Sequence, residues 1–337
     1  PLRWTMSFRV SNKSKVHKIL VISLSNIGDV VLTLPVVDIL RRDFPAAAIS
    51  IVIGPKVESL LRDSPQFDKV YLLQKKQPWP VAWSWIRQLR RARFDLVVDL
   101  RNSMIPYMLF PRYMTPPEFG KNKRHHMRDK HLARLRTVYP FAEGPVARAS
   151  LATSPEDSRL VDGLLRQEGA AKPFVVMAPG SADKGKRWSQ IGFAAVAKHL
   201  KNEFGLETVF LGDQQDDKIV REILSTCEVP MRNLCGQTTL CQSAEIVRRS
   251  VLVVVNDSAV LHLAGYHNVP SVAVFGYTDP VKYGPWSEQR VVLRPAKARL
   301  PEPSTTREKV AYIESVPAAA VINSIGYTDG KVILSQP

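Results

Sequence analysis

The run Val251 to Val255, five β-branched or leucine residues without a charge, limits the fold more than any other stretch of the chain. A strand buried on both faces of a parallel sheet reads this way, whereas a strand with one wet face alternates. Asn256, Asp257 and Ser258 follow at once and are good helix-capping types, and Val260, Leu261, Leu263 and Ala264 then have helical spacing. A second apolar run, Ser271 to Phe275, closes a strand-helix-strand unit. Such a unit sets the start of its helix at the carboxyl end of a buried strand, where unpaired N–H groups and the helix dipole favour an anion. Asp257 taken alone is accounted for as a helix cap. The stretch as a whole predicts a phosphate seat that uses the N–H groups of Ser258, Ala259 and Val260.

The same alternation recurs along the chain. Lys18 to Leu24 predicts a strand, and Ser25-Asn26-Ile27-Gly28-Asp29 a tight turn at Gly28 into a helix reaching about Asp43, with a kink or break at Pro35. Further strands are expected at Ile49–Ile53, Val70–Leu73, Leu96–Leu100, Phe174–Met177 and Thr208–Leu211, with helices at Val57–Leu61, Val81–Ala92 and Ser189–Phe204 and another following Gly212–Asp217. This order implies doubly wound parallel sheets. A chain of 337 residues exceeds one ordinary core and suits two domains of roughly 150 residues each. We expect an N-terminal domain over residues 1–150 with a linker from about Pro140 to Ser154, a second domain over 151–305, and a helix and tail over 306–337 that returns toward the first.

Charge narrows the partners. Lys and Arg total 47 against 31 Asp and Glu, a net charge of +16, which points to an anionic surface or a polyanion. The excess is concentrated where the helix-strand pattern dissolves, in Lys121, Lys123, Arg124, Arg128, Arg134 and Arg136, after the Pro-broken apolar stretch Met104 to Met114. That run reads either as a solvated basic face or as an acceptor-binding or membrane-facing loop. His125, His126 and His131 within it have neither an i, i+4 pair nor a Cys partner, so no metal is expected. Three cysteines without zinc or C-x-x-C spacing point to a reducing compartment. No run approaches the ~20 apolar residues of a membrane-spanning helix, and the first residues lack a signal-peptide core, so a cytoplasmic protein in contact with a membrane is expected. No G-x-G-x-x-G or Walker A motif is present, and no helix-turn-helix, zinc-finger or RRM signature supports nucleic acid as the polyanion.

Three strings carry a resemblance. N-D-S-x-x-x-H-L-A-x(5)-P-x-x-x-x-F-G-x-T-D-P-x-x-Y-G-P-W, from Asn256 to Trp286, is similar to the nucleotide-sugar site of the bacterial ADP-heptose:lipopolysaccharide heptosyltransferases, glycosyltransferase family 9. P-G-S-x(4)-K-R-W, from Pro179 to Trp188, resembles that family's donor loop, and S-N-I-G-D-V-V-L-T-L-P, from Ser25 to Pro35, its N-terminal signature. The resemblance implies an α/β GT-B fold, two Rossmann-like doubly wound parallel-sheet domains facing across a cleft, with acceptor on the first and donor on the second. It implies inverting transfer of L-glycero-D-manno-heptose from ADP-heptose to the Kdo or heptose of the lipopolysaccharide inner core, without a metal or other cofactor. The implied partners are the nucleotide-sugar donor, a lipid A-Kdo or core lipopolysaccharide acceptor and the anionic inner face of the inner membrane, not nucleic acid.

Roles follow residue by residue. Asp29 stands where the family has its proposed general base, and Lys186 where it has a lysine on the donor phosphates. Gly180, Ser181, Asp257, Ser258, Ala259, Val260 and His262 join Lys186 in the expected donor site, with Ala259 in place of the family's usual Gly. Gln214 replaces a Glu that often binds the nucleoside ribose. Ser25, Asn26, Gly28, Lys121, Lys123, Arg124 and Arg128 are the expected acceptor residues. Read alone, Asp29 also fits a structural first-turn carboxylate, Lys186 a surface lysine and His262 a core histidine or a second candidate base. A helix N-terminus stabilises the ionised carboxylate, so Asp29 acts as a base only late, once the acceptor oxygen has bonded to the anomeric carbon. A relative with another nucleotide sugar or acceptor, a basic nucleic-acid-binding protein and an inactive binding paralogue remain as alternatives.

Overall fold

Charge-free β-branched runs become the central strands of two separate parallel sheets. The computed structural model describes residues 7–74, 76, 78–119, 125–165, 172–296 and 304–336, and the chain divides into two units, Pro1–Ser154 and Pro155–Pro337.

In the first unit the strands are β1 (Lys18–Ile22), β2 (Ala48–Ile53), β3 (Lys69–Leu72), β4 (Leu96–Asp99) and β5 (Tyr113–Met114). They pair in parallel in the order β3-β2-β1-β4-β5. Ile19 to Ile22 of β1 are wholly buried, as their unbroken apolar run requires. Strand order reverses between β1 and β4, and the loops leaving their carboxyl ends flank the crevice where open sheets of this kind bind ligands. The helix expected to reach Asp43 is two helices, Ile27–Val31 and Leu34–Asp43, with Pro35 in the first turn of the second, where its missing N–H costs nothing. Gly28 is inside the first of these helices, not in a turn before it, which corrects the expected role.

After Arg101 the chain is more ordered than its pattern implies. It forms helix Ile105–Leu109, edge strand β5 and helix Met127–Val138, whose buried face is His131, Arg134, Leu135 and Val138. Half of that face is polar, so periodicity does not reveal it. Lys121, Lys123 and Arg124 lie outside the described residues. The end of the expected linker is fixed to this unit: Ser150 donates from its N–H and Oγ to Asp38 at 3.1 and 2.6 Å, and its carbonyl accepts from Ser64 at 3.0 Å.

In the second unit β6 (Phe174–Ala178), β7 (Glu207–Phe210), β8 (Met231–Asn233), β9 (Leu252–Asn256), β10 (Ser271–Val274) and β11 (Arg290–Leu293) form a parallel sheet in the order β11-β10-β9-β6-β7-β8. Its reversal lies between β9 and β6. Ser189 caps helix Gln190–Phe204, a Thr239/Gln242 capping box starts Leu240–Arg249, and left-handed Asn268 ends Ala259–His267. The last segment is not one helix with a tail. Thr306–Glu314 and Ala318–Asn323 are separate helices with Pro317 between them, followed by the antiparallel hairpin β12 (Ile325–Thr328) and β13 (Lys331–Leu334). Ile313, Val316, Val321, Ile325 and Val332 enter the core of the second unit beside Val254 and Val272, so the segment belongs to this unit.

Candidate functional site

The loop after β6 is tied down by one buried amide. Asn256, the last residue of β9 and wholly buried, donates to the Pro179 carbonyl at 2.7 Å and accepts from the Trp188 N–H at 3.1 Å. The Trp188 indole N–H in turn donates to the Val316 carbonyl at 2.8 Å. The loop is thereby held at both ends, and its 3-10 turn Lys184–Lys186 presents Lys186 beside Asp257, with Nζ 2.8 Å from Oδ2. The Lys186 side chain is 26% exposed and that of Asp257 only 7%. A nearly buried carboxylate thus fixes an ammonium at the reversal of strand order.

The turn has its own support. Asp183 accepts from the Gly185 N–H at 2.9 Å and from the Tyr277 hydroxyl, while Lys309 Nζ lies 4.5 Å from the Tyr277 ring centre. Hydrogen bonding to Asp183, with burial second, pushes the Tyr277 hydroxyl up to about 12. The same bond holds the Asp183 carboxyl below its ordinary range. Gly180 is required by packing: a Cβ there would lie 2.1 Å from the Asp216 carboxylate, and one at Gly212 would meet the same side chain at 2.7 Å. Burial raises the Asp216 carboxyl. Arg187 Nε reaches the Ser181 carbonyl at 2.8 Å.

Helix Ala259–His267 has no side-chain cap. Asp257 pairs with Lys186 instead, so the capping reading of Asp257 is replaced by an ion pair between groups 71 residues apart. Ser258 Oγ at the start of this helix and Thr278 Oγ1 after β10 are buried without a hydrogen-bond partner among the described residues. Buried hydroxyls without partners are costly, and a ligand with acceptor oxygens would satisfy them. Ala259 and Val260 follow in the first turn, and His262 is buried on the same helix. Gln214 follows β7; Gly236, at φ 71°, leaves room for its amide, since a Cβ there would lie 2.3 Å from Oε1. The expected donor residues therefore line the carboxyl ends of β9, β6 and β7 in one sheet. Asn256 as a clip, Tyr277 with Asp183, and Thr278 were not foreseen in these roles.

In the first unit Asp29 occupies the first turn of Ile27–Val31, its carboxylate accepting from the Asn26 amide at 2.9 Å. Ser25 Oγ accepts from Arg101 Nη1 at 3.0 Å, and Gly54 lets Ser25 approach β2, because a Cβ there would be 2.8 Å from the Ser25 Cβ. Ser25, Asn26 and Asp29 thus come together with Arg101 at the carboxyl ends of β1 and β4. Burial raises the Asp99 carboxyl, although it accepts from the N–H groups of Arg101 and Ser103 and from Ser103 Oγ. Arg134, 6% exposed, donates to the Asp99 carbonyl at 2.8 Å and to left-handed Asn102 at 3.2 Å. Arg134, expected only as part of the basic run, and Arg101, to which no role was assigned, both stand at this edge; an arginine directly after a buried strand was the available signal for Arg101. Arg128, expected on the acceptor, lies at the start of Met127–Val138 with its guanidinium on Asp129 at 2.6 and 2.8 Å.

Known proteins resemble this chain in sequence and fold. The family model for glycosyltransferase family 9 (heptosyltransferase) matches residues 82–312, more than half of the chain. Lipopolysaccharide heptosyltransferase 3 of Escherichia coli is 24% identical over 326 residues, covering 88% of this chain and 95% of its own length. Among solved structures, the E. coli ADP-heptose lipopolysaccharide heptosyltransferase II superposes with a TM-score of 0.69 at 21% identity, covering 91% of this chain and 96% of that one. The E. coli heptosyltransferase WaaC with ADP superposes with a TM-score of 0.67 at 15% identity, covering 91% and 98%. At such identities the superpositions establish the fold, two parallel-sheet α/β domains of the GT-B class. The match of the family model across most of the second unit and part of the first goes further: the chain belongs to glycosyltransferase family 9, the heptosyltransferases, and is a glycosyl-transferring enzyme.

Proposed function

We propose that the protein transfers L-glycero-D-manno-heptose from ADP-heptose, with inversion and without a metal, to a Kdo or heptose of the lipopolysaccharide inner core at the cytoplasmic face of the inner membrane. The observation that carries this reading is the Lys186–Asp257 pair beside an uncapped helix start with an unpartnered Ser258 hydroxyl. The departing diphosphate gains negative charge as the glycosidic bond to it breaks, so a fixed ammonium and oriented N–H groups hold the transition state more tightly than the substrate. Lys186, the N–H groups of Ser258, Ala259 and Val260, and the hydroxyls of Ser258 and Thr278 serve the diphosphate. Ser181 and His262 line the same site, and Gln214 binds the ribose. The acceptor oxygen bonds to the anomeric carbon, ADP leaves, and the hydroxyl proton passes to Asp29. The Asn26 amide orients the Asp29 carboxylate, which takes the proton once the new bond to the anomeric carbon has formed. Ser25, Asn26 and Arg101 orient the acceptor.

The test is incubation with ADP-heptose and lipid A-Kdo acceptors, read by mass. The parent adds one heptose, and Asp29→Ala loses at least about a hundredfold in turnover with donor affinity little changed, the size typical of a lost general base. Equal turnover of the variant removes Asp29 from the mechanism. Gln214, an amide at the ribose position, favours a second reading in which the nucleoside differs; in a screen of nucleotide sugars the first reading expects ADP-heptose to be turned over fastest.

A further inference from the structure

Among the described residues of the first unit, most large apolar side chains left exposed gather around one helix. Helix Trp79–Ala92 buries Ile86 and Leu89 and turns Trp79, Trp83, Arg87 and Arg90 outward at one spacing of i, i+4, i+8 and i+11. Trp79 is 71% and Trp83 40% exposed, and their rings stack 5.8 Å apart, so the indoles shelter one another from water. At the other end Arg90 lies 4.9 Å over the ring of Phe110, itself 56% exposed. The 14-residue helix contains no acidic residue. Because it connects parallel strands β3 and β4, its first turn sits at the carboxyl edge of the sheet, the edge that carries Ser25, Asn26, Asp29 and Arg101. Met104, 69% exposed, follows β4 at that same edge.

We infer that this face is a docking surface for an anionic phospholipid bilayer, with Trp79, Trp83 and Met104 entering the headgroup region and Arg87 and Arg90 lying on its phosphates. Amphipathic indoles partition to the water-lipid boundary, and a helix with apolar and cationic residues but no carboxylate matches a surface of fixed negative charge. A bilayer, not a protein, is the occupant because the complementary charge is continuous and the aromatic end is at the acceptor edge. Only that choice of occupant rests on the lipid-anchored acceptor proposed above. This surface is separate from the expected 121–136 basic run, whose described part forms helix Met127–Val138.

The test uses vesicles of phosphatidylcholine with and without phosphatidylglycerol, the full chain, and co-sedimentation. The parent binds the vesicles that contain phosphatidylglycerol. Trp79→Ala/Trp83→Ala weakens this by at least about tenfold, and Arg87→Gln/Arg90→Gln removes most of the dependence on phosphatidylglycerol and salt. Both keep the parent's unfolding midpoint and its turnover on a deacylated, water-soluble acceptor, while turnover on vesicle-embedded acceptor falls. If the tryptophan pair proves unfolded, Trp79→Ser alone gives the same comparison. A parent that ignores both vesicles, a tryptophan variant that binds as the parent does, or a parent dimer that the variant dissociates overturns the proposal, the last in favour of a second copy. A parent that binds vesicles through the tryptophans yet transfers nothing to the soluble acceptor instead overturns the proposed reaction and leaves the surface standing.

Discussion

Tyr277 hydrogen-bonds Asp183, and Asp183 also holds the Gly185 N–H, so one phenol stands two links from the ammonium of Lys186. Tyr277→Phe removes that link but leaves the ring beneath Lys309. A hydrogen bond to a charged group contributes about 1.5 to 3 kcal/mol, and part of that loss falls on the placement of Lys186. We expect the donor KM to rise about fivefold, roughly 1 kcal/mol, with kcat reduced less. Steady-state kinetics against donor concentration check this; an unchanged KM would show that the turn keeps its shape without Tyr277. The Asp257–Lys186 pairing shows why single residues are hard to read. Both were chosen as donor residues from local strings, but Asp257 looked like a cap because its partner lies 71 residues earlier and no local pattern records that distance.

At the level of elements, helix Met127–Val138 carries a pH response. Burial, aided by Lys130, His126 and Arg134, lowers His131 from an ordinary 6.5 to about 4. The unfolded chain therefore binds a proton near pH 6.5 that the folded chain refuses until about pH 4, so stability falls as pH drops through that window and is unaffected above it. The loss amounts to roughly 3 kcal/mol at the acid end. His131→Gln should flatten the slope of unfolding free energy between those values, measured by denaturant titration at several pH values; a parallel slope in parent and variant would contradict it. The same helix was illegible in the sequence because a buried histidine and arginine break its apolar stripe. Strands β1, β2, β9 and β10 were legible because both faces are dry and a charge would be costly on either. Short strands β5, β8 and β11 were not, since an edge strand has too few buried positions to leave a pattern.

For the whole molecule, alternation of strands and helices was enough to give two doubly wound units, expected to part at residue 150 with a linker reaching Ser154, because each unit needs its own core; the chain divides after Ser154. The ending was not legible in the same way. Pro317 divides what looked like one helix, and the hairpin β12–β13 completes the second core through Ile325 and Val332, a tertiary requirement that local spacing does not express. Both units set their loops at the carboxyl ends of their sheets, and the second places an ammonium, a helix start and two unpartnered hydroxyls there. If that group of residues is the diphosphate seat, it binds ADP without help from a divalent ion. Calorimetric titration of ADP in the presence of a chelator tests this most directly. The parent should bind and Lys186→Ala should bind at least about tenfold more weakly, a difference of ~1.4 kcal/mol or more. Equal affinities, or no binding by the folded parent until a metal is added, would contradict it.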